Sequence, residues 1–75
     1  MTTDPVRLAA KLADIERYLA LERRHVVAMT AQLDKAHRLG WEDGVIWAEK
    51  LLALSEARIA RLELEQARLV IGGGS

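Results

Sequence analysis

The chain has 75 residues, of which 51% are apolar, 4% aromatic and 29% charged, with eleven basic and eleven acidic side chains and no cysteine. A chain of this length forms one domain at most, and without disulfides a small core needs support from elsewhere. The zero net charge argues against general binding to nucleic acid, and no segment is apolar enough for a membrane span. We therefore expect a soluble cytoplasmic protein that associates with itself and with another protein.

The first predicted helix follows residues 1–3, which we expect to be frayed. Asp4 is a favourable N-cap, and Pro5 suits the first turn because its missing N–H has no helical partner there. Apolar residues then recur at alternating spacings of four and three, with one charged member: Leu8, Leu12, Ile15, Leu19, Glu22, Val26, Met29, Leu33 and Ala36. This heptad pattern predicts a helix over about residues 5–38.

Gly40 and Gly44 predict a turn at about residues 39–42, because glycine favours the left-handed backbone after a helix. A second stripe with the same spacing predicts a helix over about residues 42–70: Trp41, Val45, Ala48, Leu52, Ser55, Ile59, Leu62, Gln66 and Leu69. The fold class is therefore all-α, with residues 4–71 forming an antiparallel hairpin in which facing residue numbers sum to about 81. One unbroken coiled coil is the alternative, and the glycines disfavour it. Residues 72–75 have the composition of an added linker.

More apolar residues are present than one seam between two helices can bury. A dimer of hairpins forming a four-helix bundle would cover them. The candidate interface residues are Trp41, Trp47, Leu51, Leu54, Leu64 and Val27. The two tryptophans lie near the turn, where they are expected either to anchor a partner or to seal the end of the bundle.

A second hypothesis concerns metal. Glu22 and His25 form a Glu-x-x-His pair on the first helix, and Glu56 comes opposite His25 in the expected register. These three residues resemble the ligand set of two-helix ferritin-like proteins, which implies iron bound between two copies of the hairpin. The alternative for Glu22 is an ion pair with an arginine, since a buried carboxylate needs a partner.

The remaining charged groups are interpreted as solvated helix faces. Glu42, Glu49, Glu56 and Glu63 form an acidic column, of a kind that selects partners in coiled coils. The basic residues Arg17, Arg23 and Arg24 support a third, weaker hypothesis, a small nucleic-acid-associated factor. No nucleophile constellation is visible. The sequence thus favours a non-enzymatic oligomerisation or adaptor module without a cofactor.

Overall fold

Two long helices pack against each other as an antiparallel hairpin. The computed structural model describes residues 4–73, and within them α1 spans Pro5–Leu39 and α2 spans Glu42–Gly73. The hairpin is a rod that measures 57 × 14 × 12 Å. The predicted all-α hairpin is confirmed, whereas the expectations for residues 1–3 and 74–75 fall outside the described residues.

The start of α1 agrees with the predicted cap. The Asp4 side chain accepts a hydrogen bond from the Val6 amide at 3.0 Å, and Pro5 occupies the first helical position. A side-chain oxygen at this place satisfies one of the amides that a helix leaves without an intrahelical partner. The polar residue and the proline together fix where the helix begins.

The turn consists of Gly40 and Trp41. Gly40 has the left-handed backbone (φ 68°) that the sequence predicts, and its amide donates to the His37 carbonyl at 3.1 Å. The Trp41 amide donates to the Ala36 carbonyl at 2.9 Å. This pair of bonds is a Schellman motif, which closes the last carbonyls of α1. Because only two residues separate the helices, their relative position is tightly constrained.

The end of α2 lies beyond its predicted limit. The helix continues to Gly73, so Gly72 and Gly73 belong to it although a linker was predicted from residue 72. Residues 72–75 contain no proline, the residue that helical backbone would exclude on steric grounds. Glycine lowers helix stability but permits a last turn.

The predicted seam forms the interface between the helices. Every member of the α1 stripe is buried or half-buried, and so is every member of the α2 stripe except Trp41. Within the described part of the chain the buried apolar residues are few, and two of the four are alanine: Ile15, Leu19, Ala36 and Ala48. A core of this size leaves an isolated hairpin with little stability.

Candidate functional site

A polar cluster interrupts the apolar seam near the middle of the rod. An Arg58 guanidinium nitrogen lies 3.5 Å from Glu22 Oε1, and the His25 Nδ1 lies 2.9 Å from the Ser55 hydroxyl. The residue numbers sum to 80 in both pairs, one less than the sequence predicts. Ser55 is fully buried, whereas Arg58 reaches the cluster from the edge of the seam.

The Glu22 carboxylate is only partly compensated in this cluster. Its side chain is 20% exposed, and the Oε2 atom is buried without a hydrogen-bond partner among the described residues. An unsatisfied buried acceptor typically costs about 1–3 kcal/mol. The fully buried Ser55 hydroxyl is closed to a substrate, so this arrangement of carboxylate, imidazole and hydroxyl gives no accessible nucleophile.

The three candidate metal ligands do not converge within one chain. Glu22 lies with Arg58, His25 shares a hydrogen bond with Ser55, and Glu56 is exposed to solvent. Among residues 4–73, no group of three or more acidic or histidine side chains is placed to hold a metal ion. The iron hypothesis therefore depends on ligands contributed by a second copy.

The basic candidates are spread over an exposed surface. Arg17 forms an ion pair with Asp14 on the same helix, and Arg23 and Arg24 are exposed. An exposed pair of this kind contributes little stability and reduces the local positive potential. One of the three arginines is therefore partly neutralised by an acidic neighbour.

The contacts of the polar cluster show which residues of the two helices lie at the same edge of the seam. A set of residues spaced seven apart along one side of a helix is called a column. Residues seven apart lie on the same side of a helix. Arg58 and His25 both reach across the seam at one edge, so Leu51 lies on that edge with Arg58, and Leu39 lies there with His25. Tyr18, seven residues before His25, lines a groove with Glu65, seven residues after Arg58, which agrees with this assignment.

Large apolar side chains collect at this edge between the turn and the middle of the rod. Leu51 is half-buried, and the others are at least half exposed. Leu21, Trp47 and Leu54 join the edge because they lie three or four residues from its members. We call the set the turn-end patch, and its members are Leu21, Leu39, Trp41, Trp47, Leu51 and Leu54.

Trp41 belongs to the patch because of Gly44. The indole ring of Trp41 packs over Gly44. A Cβ atom added to Gly44 would lie 2.6 Å from the ring atom Cδ2 and 2.8 Å from Cζ3. Gly44 is buried and lies in the α2 column of Leu51. The ring is thereby held on the edge of the seam, with Trp41 59% exposed. Its predicted place in the seam of α2 is wrong for this reason.

Two predicted interface residues lie elsewhere. Val27 is exposed on α1, at the edge of the seam opposite His25, and Leu64 is exposed on the outer side of α2. Leu64 is part of a second regular stripe, again with alternating spacings of four and three, in which every residue is exposed. We call it the outer stripe, and its members are Ile46, Lys50, Ala53, Ala57, Ala60, Leu64, Ala67 and Ile71.

Sequence reasoning missed two features of these surfaces. Arg58 was not singled out as the partner of Glu22, although the seven-residue spacing places it at the edge of the seam. The outer stripe was also missed as a continuous surface, because Leu64 is its only member among the predicted interface residues. The signal was present in both cases, because the heptad spacing that defines the seam also defines every other column.

Comparisons of the chain with protein-family models, with curated proteins and with solved structures gave no match. Over residues 4–73, neither helix contains an apolar segment long enough to cross a membrane.

Proposed function

We propose that the chain is a non-enzymatic assembly module, a helical hairpin that pairs with a second copy through the turn-end patch to form a four-helix bundle. The class of function is protein–protein interaction, with a further protein as an additional partner. No cofactor is part of this proposal.

The observation that carries the proposal is the exposure of large apolar side chains beside a minimal core. Trp47 and Leu54 are each 52% exposed, and Leu21 is 57% exposed. Contiguous apolar surface of this kind on a small protein marks an interaction site. Burying it against another copy would also supply the stability that the small core of one hairpin lacks.

The turn-end patch is a better interface than the outer stripe because its side chains are larger and come from both helices. It contains two tryptophans and is built from both helices, so a partner would contact the hairpin as a unit. Four of the eight outer-stripe residues are alanine, and Lys50 interrupts it with a charge. In the proposed dimer the outer stripe stays exposed, and we assign to it the adaptor contact with another protein.

The test compares two leucine substitutions with nearly equal starting exposure. Leu54 lies in the turn-end patch and is 52% exposed, whereas Leu64 lies in the outer stripe and is 54% exposed. Sedimentation equilibrium of the unaltered chain should give twice the 8.4 kDa of one chain. Leu54→Glu should reduce the mass to that of a monomer, and Leu64→Glu should leave the dimer intact.

Circular dichroism must show that both variants keep their helices, so that loss of the dimer is separated from unfolding. A monomeric unaltered chain would overturn the proposal. Dissociation by Leu64→Glu but not by Leu54→Glu would place the interface on the outer stripe instead.

A further inference from the structure

The turn-end edge of the hairpin changes character along its length. Near the turn it carries the large apolar side chains of the patch, and toward the free ends of the helices it becomes charged. The charged members toward the free ends, which are all exposed, are Arg7, Lys11, Asp14, Arg58, Arg61, Glu65 and Arg68. Two exposed residues depart from this division: Lys35 on the turn half and Tyr18 on the charged half. Two copies that associate through this edge therefore have a preferred relative orientation.

Two hairpins can cover each other along this edge in two symmetric ways that keep neighbouring helices antiparallel. The turns lie either at the same end of the bundle or at opposite ends. With the turns at opposite ends and the rods fully overlapped, the patch of one copy would face the charged half of the other. Arg61 would then face the partner's Leu54 and Arg68 would face the partner's Trp47, and part of the patch would lose water without apolar cover.

We infer that the second copy binds with its turn at the same end, so that patch lies on patch and charged half on charged half. This inference rests on the proposed function and adds the orientation of the partner. In this arrangement α1 of one copy lies beside α2 of the other, and residues at the same height meet.

The heights of the patch residues fit this arrangement. Because facing numbers within the hairpin sum to 80, Ala28 of α1 has the height of residue 52 in α2, between Leu51 and Leu54. Ala28 is exposed on the same edge, four residues before Gln32 and three after His25. The partner's Leu51 and the partner's Leu54 can therefore pack over Ala28, large side chains against a small one, as close packing between helices requires.

The experiment measures distances between spin labels by pulsed electron paramagnetic resonance on the full chain. The absence of cysteine allows single labels at Asp43→Cys, near the turn, and at Ala10→Cys, near the free end; both positions are exposed. With the turns together, each distance is set by the width of the bundle, about 20–30 Å. Dilution with unlabelled chain must weaken the dipolar signal, which shows that the distance joins two copies.

The other arrangements give different pairs of distances. Fully overlapped rods with turns at opposite ends would separate the Asp43 labels by about 45 Å along the axis and the Ala10 labels by about 35 Å. Rods with turns at opposite ends that overlap only at their patches would separate the Asp43 labels by about 27 Å and the Ala10 labels by about 55 Å. Either pattern would overturn the inferred orientation while leaving the dimer in place, whereas the absence of any dipolar signal would refute the dimer itself.

Discussion

Replacing Glu22 by leucine is expected to stabilise the protein. The carboxylate is 80% buried, given the 20% exposure of its side chain, and only one of its oxygens lies near a cation. The substitution removes an unsatisfied buried acceptor, with a gain of about 1–3 kcal/mol. It also removes an ion pair that contributes at most about 1 kcal/mol, because Arg58 is 57% exposed and water can solvate it again.

The expected net effect of Glu22→Leu is an increase of about 1 kcal/mol in the free energy of unfolding. For a chain of this size that corresponds to a rise of about 4–8 °C in Tm. The assay is thermal and urea unfolding followed by circular dichroism, at one fixed chain concentration because the oligomer contributes to stability. Glu56→Leu is the matched control: Glu56 is exposed, so its replacement should change the free energy by no more than about 0.5 kcal/mol.

A lower stability of Glu22→Leu would refute this reasoning, because Glu22 would then have a partner that one hairpin does not supply. Native mass spectrometry with ferrous iron would identify such a partner. Two metal ions per dimer, bound by the unaltered chain and lost in Glu22→Leu, would support the ferritin-like hypothesis against the assembly module. If the mass does not change in the presence of iron, a side chain of the other copy in the dimer is the expected partner of Glu22.

Three further substitutions test the seam and the turn. Ser55→Ala removes the hydroxyl 2.9 Å from His25 Nδ1 and should lower the free energy of unfolding in urea by about 1 kcal/mol. An equal loss in a His25→Ala background would contradict a role for the hydrogen bond. Gly40→Ala should cost about 1–2 kcal/mol in the same assay, because alanine is strained at φ 68°. Gly40→Asn should cost less, since asparagine tolerates this backbone better, and equal costs would argue against backbone strain. Gly44→Ala places a methyl group against the Trp41 ring and should shift tryptophan fluorescence to longer wavelength; unchanged emission would contradict the contact.

The hairpin itself could be predicted from the sequence because each of its features has a local cause. Asp4 and Pro5 specify the start of α1, Gly40 specifies its end, and the heptad spacing specifies which residues face the other helix. None of these signals depends on knowing the partner surface. Local preference and tertiary packing agree along the chain, which is the condition for a reliable prediction.

The contacts of the polar cluster could not be predicted to the same accuracy. A register error of one residue is enough to replace Ser55 by Glu56 as the residue opposite His25, and these two choices imply different chemistry. The sequence periodicity fixes the face of a helix but leaves its axial position uncertain by about one residue, 1.5 Å. The exact hydrogen bonds of the turn decide that position.

Trp41 illustrates a different limit. Its spacing from Val45 fits the heptad of α2, so the pattern places it in the seam. In the structure Trp41 precedes the first residue of α2, and its ring turns onto the bare backbone of Gly44. A large side chain close to a glycine can pack onto the backbone of that glycine. The heptad spacing does not predict such a local contact.

The two-residue connection also restricts how the length of such a chain can change during evolution. One extra residue between Leu39 and Glu42 would relax the turn, whereas one extra residue inside either helix would rotate everything beyond it by about 100°. Such an insertion would carry Ser55 or Glu22 out of the seam. Length can therefore change with little damage only in paired steps, seven residues added to α1 and seven added to α2 at the same height. Families of hairpins built in this way are expected to differ in length by whole heptads.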